Sequence, residues 1–403
     1  MISQSHRFEN STGHELAAVL DLPPVGAPRA YALFAHCFTC NKDLRAVQNI
    51  SLALTERGIA VLRFDFPGLG ASGGSFEDST FSTNVRDLVD AARFLDENAD
   101  APQILIGHSL GGAAAIRAAG LIDSIRAVAT IGAPADPDHV THLFGDRVRE
   151  IRERGEATVS IANRHFTIRR EFLEDVEAVS MEEATRRLGK ALLILHSPVD
   201  EIVGIENAAA IYQRALHPKS FLSLDDADHL LTREADSRYV AQTIGAWSRR
   251  YLELEPESAK ESDEVVARIG QTGYDTDLLA RGSLMVADEP VDMGGGNEGP
   301  TPYEYLLSAL GACTAITLRM YADRKEWPLD AAEVRLRHEK IHCDDAEECG
   351  ENNRVDRIER TLVLEGDLDP EQRQRLLEIA EKCPVHRTLE QGARVRTRLE
   401  EEP

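Results

Sequence analysis

One segment in the first third of the chain constrains the fold more than any other. Residues 103–106 read Gln-Ile-Leu-Ile, a mostly apolar run with two β-branched residues, residues 107–111 read Gly-His-Ser-Leu-Gly, and residues 112–116 are mostly small and compatible with a helix. This order predicts a strand that passes into a helix through one sharp turn, with Ser109 at the tip. Both glycines suit such a turn, because side chains beside the serine would clash where strand and helix approach each other.

The segment lies within a regular alternation of apolar strands and helices. An opening hairpin is predicted over residues 6–22, further strands at 31–35, 59–64, 127–131, 191–195 and 220–224, and helices at 43–57, 80–98 and 235–252. Strands that alternate with helices form a parallel sheet covered on both faces. We therefore predict an α/β fold with a mostly parallel sheet over residues 1–252.

A polar insertion interrupts this alternation. Residues 134–190 have a helical pattern and stand between two core strands, on the side where an active site would open. We interpret them as a small cap over a pocket. An insertion without a role in substrate binding is the alternative.

The second half of the chain has a different pattern of strands and helices. Residues 253–263 are charged, contain a proline and lack periodicity, which predicts a linker before a second domain over residues 264–403. In that domain strands are predicted at 265–269, 278–286, 331–342, 357–366 and 393–399, and helices at 302–325 and 370–383. Runs of strands broken by two helices are typical of an α+β domain.

Composition limits the partners and the compartment. The chain has 403 residues, which suggests two or three domains, and its formal net charge of −24 argues against a broad nucleic-acid or anionic-membrane surface. The start of the chain lacks the apolar core of a signal peptide, and no later run approaches the roughly 18 apolar residues of a membrane span. We expect a cytoplasmic protein without membrane or nucleic-acid partners. Six cysteines are too few for a disulfide scaffold, so most are expected to be thiols.

A nucleophilic serine needs a base and a carboxylate that orients the base. Asp200 lies just after one predicted core strand, and His229 lies just after the last one. The chain order Ser109, Asp200, His229 is that of a catalytic triad on this kind of sheet. Asp228 is an alternative partner for His229, which is disfavoured because adjacent side chains rarely face each other.

Residues 1–252 resemble the α/β-hydrolase superfamily, in its esterase, lipase and aminopeptidase-like branch. The resemblance rests on the pentapeptide at residues 107–111 and on residues 65–72, which match an Asp-x-x-Gly-x-Gly-x-Ser loop. It also rests on residues 36–38, which stand where the family usually has His-Gly-x.

The resemblance implies hydrolysis of small-molecule carboxylic esters. In that reaction Ser109 is the nucleophile, His229 is the general base and acid, and Asp200 orients the histidine. The backbone N–H groups of Phe38 and Leu110 would form the oxyanion hole, in which each donor is typically worth about 3 kcal/mol.

A pair of cysteines lies in this expected oxyanion loop. Cys37 replaces the usual glycine, and with Cys40 it forms a Cys-x-x-Cys sequence. We predict that the two are packed thiols. A redox-active pair, whose oxidation would deform the loop and stop hydrolysis, is the alternative.

Two cysteines of the second domain stand in distinctive surroundings. Cys313 lies in the middle of a predicted helix, and Cys383 lies at a helix end where Pro384 stops the helix. With these motifs residues 264–403 resemble the OsmC/Ohr family of thiol peroxidases. The resemblance implies that Cys313 attacks an organic hydroperoxide to give a sulfenic acid, that Cys383 resolves it as a disulfide, and that a thiol reductant restores both. A domain that serves only dimerisation or binding is the alternative.

The same resemblance implies a cation beside the attacking thiol, which lowers its pKa. The family uses an arginine from an early strand, held by a glutamate ahead of the cysteine helix. Arg281 lies in the matching strand region, and Glu304 lies one position from the family's glutamate, where this chain has Tyr303. Family members form intertwined dimers, so we expect a homodimer through the C-terminal domain.

A last cluster combines His338, His342, Cys343 and Cys349 at short spacing. A tetrahedral metal site needs about four such ligands. His342 and Cys343 are adjacent and would point to opposite faces of a strand, which counts against a site. We therefore predict neither a metal nor another cofactor, and we interpret the cluster as a thiol-rich loop.

Overall fold

The structure is a computed structural model that describes residues 2–161, 164–252, 264–270, 273–281, 283–342 and 354–399. The predicted linker, residues 253–263, lies outside these ranges. The chain divides into two compact units. The first comprises Met1–Arg268 and Leu278–Leu284, and the second comprises Ile269–Asp277 and Met285–Pro403.

The first unit is built on one large sheet. Along the chain its strands are β1 (Ile2–Glu9), β2 (Glu15–Leu22), β3 (Ala30–Ala35), β4 (Ile59–Phe64), β5 (Ile104–His108), β6 (Ala127–Ile131), β7 (Glu156–Ile161), β8 (Arg164–Arg169), β9 (Ala191–His196) and β10 (Lys219–Ser223). Eight of them form the sheet in the order β1-β2-β4-β3-β5-β6-β9-β10. The pairs β1–β2 and β2–β4 are antiparallel and the other neighbours are parallel, so the predicted mostly parallel sheet is confirmed.

Helices cover both faces of this sheet. They are α1 (Arg45–Thr55), α2 (Phe81–Asn98), α3 (Leu110–Ala119), α4 (Arg147–Arg154), α5 (Arg170–Ala178), α6 (Met181–Arg186), α7 (Glu206–Arg214) and α8 (Glu234–Ser248). In β5, Leu105 belongs to the core that includes Leu88 of α2, whereas the next residue, Ile106, belongs to the core that includes Ile50 of α1. Burial of each such side chain contributes about 1.5–3 kcal/mol relative to exposure, so β5 is fixed from both faces.

The insertion at residues 134–190 is less helical than predicted. It contains a 3₁₀ segment (Pro137–Phe144) and α4, α5 and α6, but also the antiparallel hairpin β7–β8. In β7 the side chains of Ala157 and Val159 are buried while Thr158 and Ser160 are exposed, which is the period of a strand. The hairpin was missed because only two side chains of each strand are buried, Ala157 and Val159 in β7 and Phe166 and Ile168 in β8.

A buried carboxyl group on α2 makes stability depend on pH. Asp87 is 2% exposed, Asn10 Nδ2 donates to its Oδ1 at 2.7 Å, and its Oδ2 has no partner among the described residues. Burial, together with the nearby Asp90 charge, raises the pKa of Asp87 to about 7, although the hydrogen bond from Asn10 acts to lower it.

Asp87→Asn should therefore stabilise the protein at alkaline pH. The folded-state pKa lies above the unfolded value, so the wild type loses stability as pH rises from about 4 through 7. We expect the variant to avoid this loss, so that its free energy of unfolding at pH 8 exceeds that of the wild type by up to about 4 kcal/mol. Urea denaturation at pH 5 and pH 8 measures the effect, and an identical pH dependence in both proteins would refute it.

The second half of the chain combines antiparallel strands with three helices. Its strands are β11 (Val265–Ile269), β12 (Thr276–Ala280), β13 (Ser283–Ala287), β14 (Ala331–His342) and β15 (Arg354–Glu365), and its helices are α9 (Pro302–Lys325), α10 (Pro370–Ala380) and α11 (Pro384–Gln391). β11, β12 and β13 form one sheet in that order, although some of their residues belong to the first unit, and β14 pairs antiparallel with β15. The predicted α+β class is confirmed.

Three element predictions in this half are corrected. The run at residues 278–286 is two strands, because Arg281 has a left-handed φ of 46° that breaks the extended backbone. The helix predicted at 370–383 ends at Ala380, and α11 follows it. Residues 392–399 lie in no strand, and Val395 and Leu399, whose side chains such a strand would be expected to bury, are 86% and 94% exposed in the described structure.

One described helix, α9, is long and apolar enough to cross a membrane by length and composition. This differs from the expectation that no segment approaches a span. Length and composition are weak grounds for a span, because the packing helix of a globular domain passes the same test. Leu318 and Ala322 of α9 are fully buried in a core with Leu376 of α10, and we interpret α9 as such a packing helix.

Candidate functional site

Ser109 occupies the sharp turn that the sequence predicts. β5 ends at His108, α3 begins at Leu110, and Ser109 between them has φ 55° and ψ −128°, a strained conformation for a residue with a side chain. A Cβ atom on Gly107 would lie 2.3 Å from the Gly111 carbonyl oxygen. A Cβ atom on Gly111 would lie 2.5 Å from the carbonyl oxygens that end β3. Only glycine permits this approach.

Gly111→Ala should therefore disrupt the turn. We expect kcat/KM for ester hydrolysis to fall by about 10²-fold, since a displacement of about 1 Å costs this much. Gly120→Ala, at the other end of α3, is the matched control, because its Cβ would meet its nearest atom at 3.5 Å and its φ is −71°. Equal activity of the two variants would contradict this account of the turn.

The structure brings His229 and Asp200 together. Asp200 follows β9, His229 follows β10, and His229 Nδ1 lies 2.7 Å from Asp200 Oδ2. The other carboxylate oxygen accepts the N–H groups of Ile202 and Val203, each at 2.9 Å. Burial alone would raise the pKa of Asp200, but the hydrogen bond and charge of His229 and these two N–H groups lower it. Asp200 therefore stays ionised, accepts the Nδ1 proton and leaves Nε2 of His229 available as a base.

The alternative carboxylate, Asp228, is engaged elsewhere. Its Oδ1 accepts the N–H of Leu230 at 2.9 Å, and its Oδ2 accepts the Thr232 hydroxyl. Asp228 therefore shapes its own loop, and Asp200 is the carboxylate bound to His229.

Two neutral histidines form hydrogen bonds with the backbone of the loops at the site. Burial, with the charge of His229, lowers the pKa of His108 to about 3, so His108 is neutral and its Nε2–H donates to the His229 carbonyl oxygen at 2.7 Å. Burial likewise lowers the pKa of His36. Its Nδ1 lies 2.9 Å from the Cys37 carbonyl oxygen, and its Nε2 accepts the Phe66 N–H at 3.4 Å. These contacts hold the loops that carry the base and the expected oxyanion donors.

Phe38 and Leu110 lie beside Ser109 in one cavity. Leu110 is the first residue of α3, so its N–H has no acceptor within the helix. The Phe38 N–H has no hydrogen-bond acceptor among the described residues. Two free N–H groups next to a serine are the arrangement that binds a developing oxyanion.

The prediction of packed thiols at Cys37 and Cys40 is wrong, because the structure joins them in a disulfide. Thr39 has a left-handed φ of 63°, and the Cys40 N–H donates to the Cys37 carbonyl oxygen at 3.1 Å. This tight turn brings the two Cα atoms within 5.3 Å, inside the range that a disulfide spans. The ring encloses Phe38, and Arg164 of the insertion donates to the Thr39 carbonyl oxygen at 2.9 Å.

The cavity above Ser109 has a volume of about 380 Å³ and a mostly apolar lining, which suits a small-molecule site. Besides Ser109 and His229, the insertion contributes Val140, Leu143 and Ile161. The residues predicted to form a cap therefore line the cavity.

The structure also brings together the two cysteines of the second unit. Cys313 lies on α9 and is half-buried, while Cys383 is fully buried and is the N-cap residue of α11. Cys383 Sγ accepts the His386 N–H at 3.3 Å and lies 3.6 Å from Thr314 Oγ1. Burial would raise the pKa of Cys383, but hydrogen bonds from Thr314, the His386 N–H and Cys313, together with the Arg360 charge, lower it.

The activation of Cys313 by Arg281 and Glu304 stays a prediction. The Glu304 carboxylate accepts the Thr301 N–H at 2.7 Å, in the capping box that begins α9. Arg281 lies between β12 and β13. The cation beside the Cys383 thiol is Arg360 of β15, which no sequence motif indicated. The sequence signal for a polar contact near the thiols was Thr314, a polar residue directly after Cys313 in an apolar helix.

The predicted absence of a metal remains a prediction. His338 Nε2 lies 2.8 Å from Asp356 Oδ1, and its ring stacks on Tyr303 with centroids 4.3 Å apart. Cys343, Cys349 and the side chain of His342 lie outside the described residues. Within the described ranges, no group of three or more His, Cys, Asp or Glu residues is arranged to hold a metal.

Comparison with known proteins finds relatives of both halves. The profile of the Alpha/beta hydrolase family matches residues 32–258, and that of OsmC-like proteins matches residues 295–398. Among solved structures, the esterase domain of a Rhodothermus marinus protein is 51% identical, covers 62% of this chain and 99% of that domain, and has a TM-score of 0.53.

A named relative is human palmitoyl-protein thioesterase ABHD10, mitochondrial, which is 27% identical over 46% of this chain. The match spans only 62% of the human protein. The structure of mouse alpha/beta hydrolase domain-containing protein 10 has a TM-score of 0.52 at 23% identity, covers 61% of this chain and 99% of that structure, and shows the shared fold alone.

Proposed function

This chain belongs to the Alpha/beta hydrolase family and carries an OsmC-like domain at residues 295–398, and on that premise we propose that its first unit is a serine hydrolase of carboxylic esters and thioesters. The observation that carries the proposal is the Asp200–His229 pair at one cavity with Ser109 and two free N–H groups.

The reaction follows from these positions. His229 Nε2 takes the proton of Ser109 as its Oγ attacks the acyl carbon, and the N–H groups of Phe38 and Leu110 receive the negative oxygen. The tetrahedral intermediate then expels the alcohol or thiol, which takes the proton from His229. A water molecule, deprotonated by His229, releases the acyl group as a carboxylic acid and restores Ser109.

The apolar cavity favours substrates with an apolar acyl group. One relative is an esterase domain and another is a palmitoyl-protein thioesterase, so oxygen and sulfur leaving groups should both be tested. We suggest butyryl, octanoyl and palmitoyl chains, each as an oxygen ester and as a thioester. Hydrolysis of at least one series by the wild type supports the proposal, and hydrolysis of neither refutes it.

The disulfide loop leads to a prediction about the oxyanion hole. The crosslink fixes the turn that carries the Phe38 N–H, so loss of the crosslink should weaken one donor. We expect Cys40→Ser to lower kcat by about tenfold with little change in KM, which is part of the roughly 10²–10³-fold that complete loss of a donor costs. A dithiol reductant should lower kcat in the wild type and leave the variant unaffected. Faster hydrolysis after reduction would instead support the alternative in which oxidation stops the enzyme.

For the second unit we propose a thiol-dependent hydroperoxide reductase. The Cys313 thiolate attacks the hydroperoxide, which leaves an alcohol and a Cys313 sulfenic acid; the Cys383 thiolate then forms the disulfide and water is released. An external thiol reductant regenerates both cysteines. The contact between the half-buried Cys313 and Cys383, whose pKa is lowered by its hydrogen bonds and by the Arg360 charge, supports these roles.

Single substitutions test this second activity. Cys313→Ser and Cys383→Ser should each abolish turnover of an organic hydroperoxide and leave ester hydrolysis unchanged. If Cys313→Ser keeps its turnover, the domain serves dimerisation or binding instead.

We also propose a homodimer through the second unit. Tyr303, Ile316 and Met320 of α9 are 44%, 59% and 68% exposed, an apolar surface that a second copy would cover. Light scattering at micromolar concentration should give the mass of a dimer, and a monomer would refute the proposal.

A further inference from the structure

A hydrogen-bond chain links an arginine to the thiol of Cys383. The Arg360 Nη1 group donates to Thr314 Oγ1 and to the Ala380 carbonyl oxygen, each at 3.1 Å. Thr314 is fully buried, and its Oγ1 lies 3.6 Å from Cys383 Sγ. A guanidinium remains protonated at any pH that a folded protein tolerates, so this end of the chain is permanently positive.

The Thr314 hydroxyl has one proton and two possible acceptors. It donates to the Leu310 carbonyl oxygen at 2.8 Å, and it can turn toward Cys383 Sγ instead. Donation from Arg360 into the hydroxyl oxygen polarises the O–H bond and makes it a stronger donor. A thiolate at Cys383 is a charged acceptor and therefore gains more from this donor than a thiol does.

We propose that Arg360, acting through the Thr314 hydroxyl, is the positioning residue that keeps Cys383 in the thiolate form needed to close the disulfide with Cys313. This inference rests on the proposed thiol reductase function. It concerns the resolving thiol of Cys383, whereas the resemblance assigned Arg281 and Glu304 to the attacking thiol of Cys313.

The surroundings of the sulfur support this assignment. The titratable and charged side chains around it are Cys313 of α9, Arg360 of β15, Lys382 after α10, and His386 and Glu390 of α11. The His386 side chain is paired with Glu390 at 3.1 Å and Lys382 is exposed. Arg360 is the cation whose charge lowers the pKa of Cys383.

The thiolate matters in the resolving step. The Cys383 sulfur donates an electron pair to the sulfenic sulfur of Cys313, the S–S bond forms, the S–O bond breaks, and hydroxide leaves and takes a proton to become water. The oxidant is the hydroperoxide consumed in the preceding step. A neutral thiol is a far poorer nucleophile, so the fraction of thiolate sets the rate.

The test is an ultraviolet titration of the Cys383 thiolate in the full chain. The Cys313→Ser protein is titrated against the same protein with Cys383→Ser added, so that the difference reports Cys383 alone. Adding Arg360→Met should reduce the thiolate fraction at neutral pH about tenfold, which is one pKa unit. Arg360→Lys should restore part of it. Arg357→Met, which removes an exposed arginine of the same strand, is the matched control and should change nothing.

Thr314→Val keeps the shape of the side chain and tests the relay even if Arg360→Met does not fold. It should lower the thiolate fraction in the same direction. Unchanged titration in the folded variants would overturn the inference. With Cys313 restored and hydroperoxide added, Arg360→Met should prolong the lifetime of a trappable sulfenic acid without slowing its formation. If the wild type consumes no hydroperoxide, the proposed reductase function fails, while the titration still decides the role of Arg360.

Discussion

Ser109→Ala should lower kcat for ester hydrolysis by about 10⁴- to 10⁶-fold, the range found when a triad nucleophile is removed. The reason is that Ser109 stands at the strained turn and lines the same cavity as His229. KM should change little, because the apolar lining of the cavity remains. Steady-state kinetics with the best ester measures the loss.

Two comparisons make this result specific. Ser124→Ala removes a hydroxyl that donates to the Pro102 carbonyl oxygen outside the cavity, and it should leave kcat unchanged. Turnover of hydroperoxide should also be unchanged in Ser109→Ala. Residual hydrolysis within tenfold of the wild type would mean that another group is the nucleophile.

Asp200→Asn should lower kcat by about 10⁴-fold. An asparagine amide can donate to His229 Nδ1, which favours the tautomer whose proton sits on Nε2 and faces the serine. Such a histidine cannot accept the Ser109 proton. Because the loss lies in the base, the attack step should slow while KM is nearly constant.

The neighbouring carboxylate supplies the control for this second prediction. Asp228→Asn changes a group that bonds to Leu230 and Thr232 in its own loop, and it should cost less than tenfold in kcat. If Asp228→Asn were the more damaging of the two, Asp228 would be the partner of His229 in solution and the arrangement described above would be incorrect.

Local chemistry explains how much of the first unit could be predicted. The turn at Ser109 needs glycines at fixed offsets, and each core strand is an apolar run, so both are visible in a short window of sequence. Asp200 and His229 follow such strands directly, and chain order sufficed to pair them. The hairpin β7–β8 was missed because only two buried side chains mark the inner face of each strand, Ala157 and Val159 in β7 and Phe166 and Ile168 in β8.

The disulfide and the thiol relay depend on features that spacing does not encode. Whether Cys37 and Cys40 approach closely depends on the left-handed backbone of Thr39, a non-glycine residue in which this conformation is uncommon. Arg360 lies 23 residues before Cys383 in the sequence, and the pairing of β15 with β14 decides where its side chain points. The family resemblance identified both cysteines, but it did not identify Arg360 as the cation beside Cys383.

Covalent labelling tests whether Ser109 is the nucleophile of this hydrolase. A fluorophosphonate reagent should add one phosphonyl group to the wild type, and peptide mass spectrometry should locate it on Ser109. Asp200→Asn should be labelled much more slowly, and Ser109→Ala should not be labelled. A phosphonyl group on any other residue, accompanied by loss of ester hydrolysis, would contradict the claim.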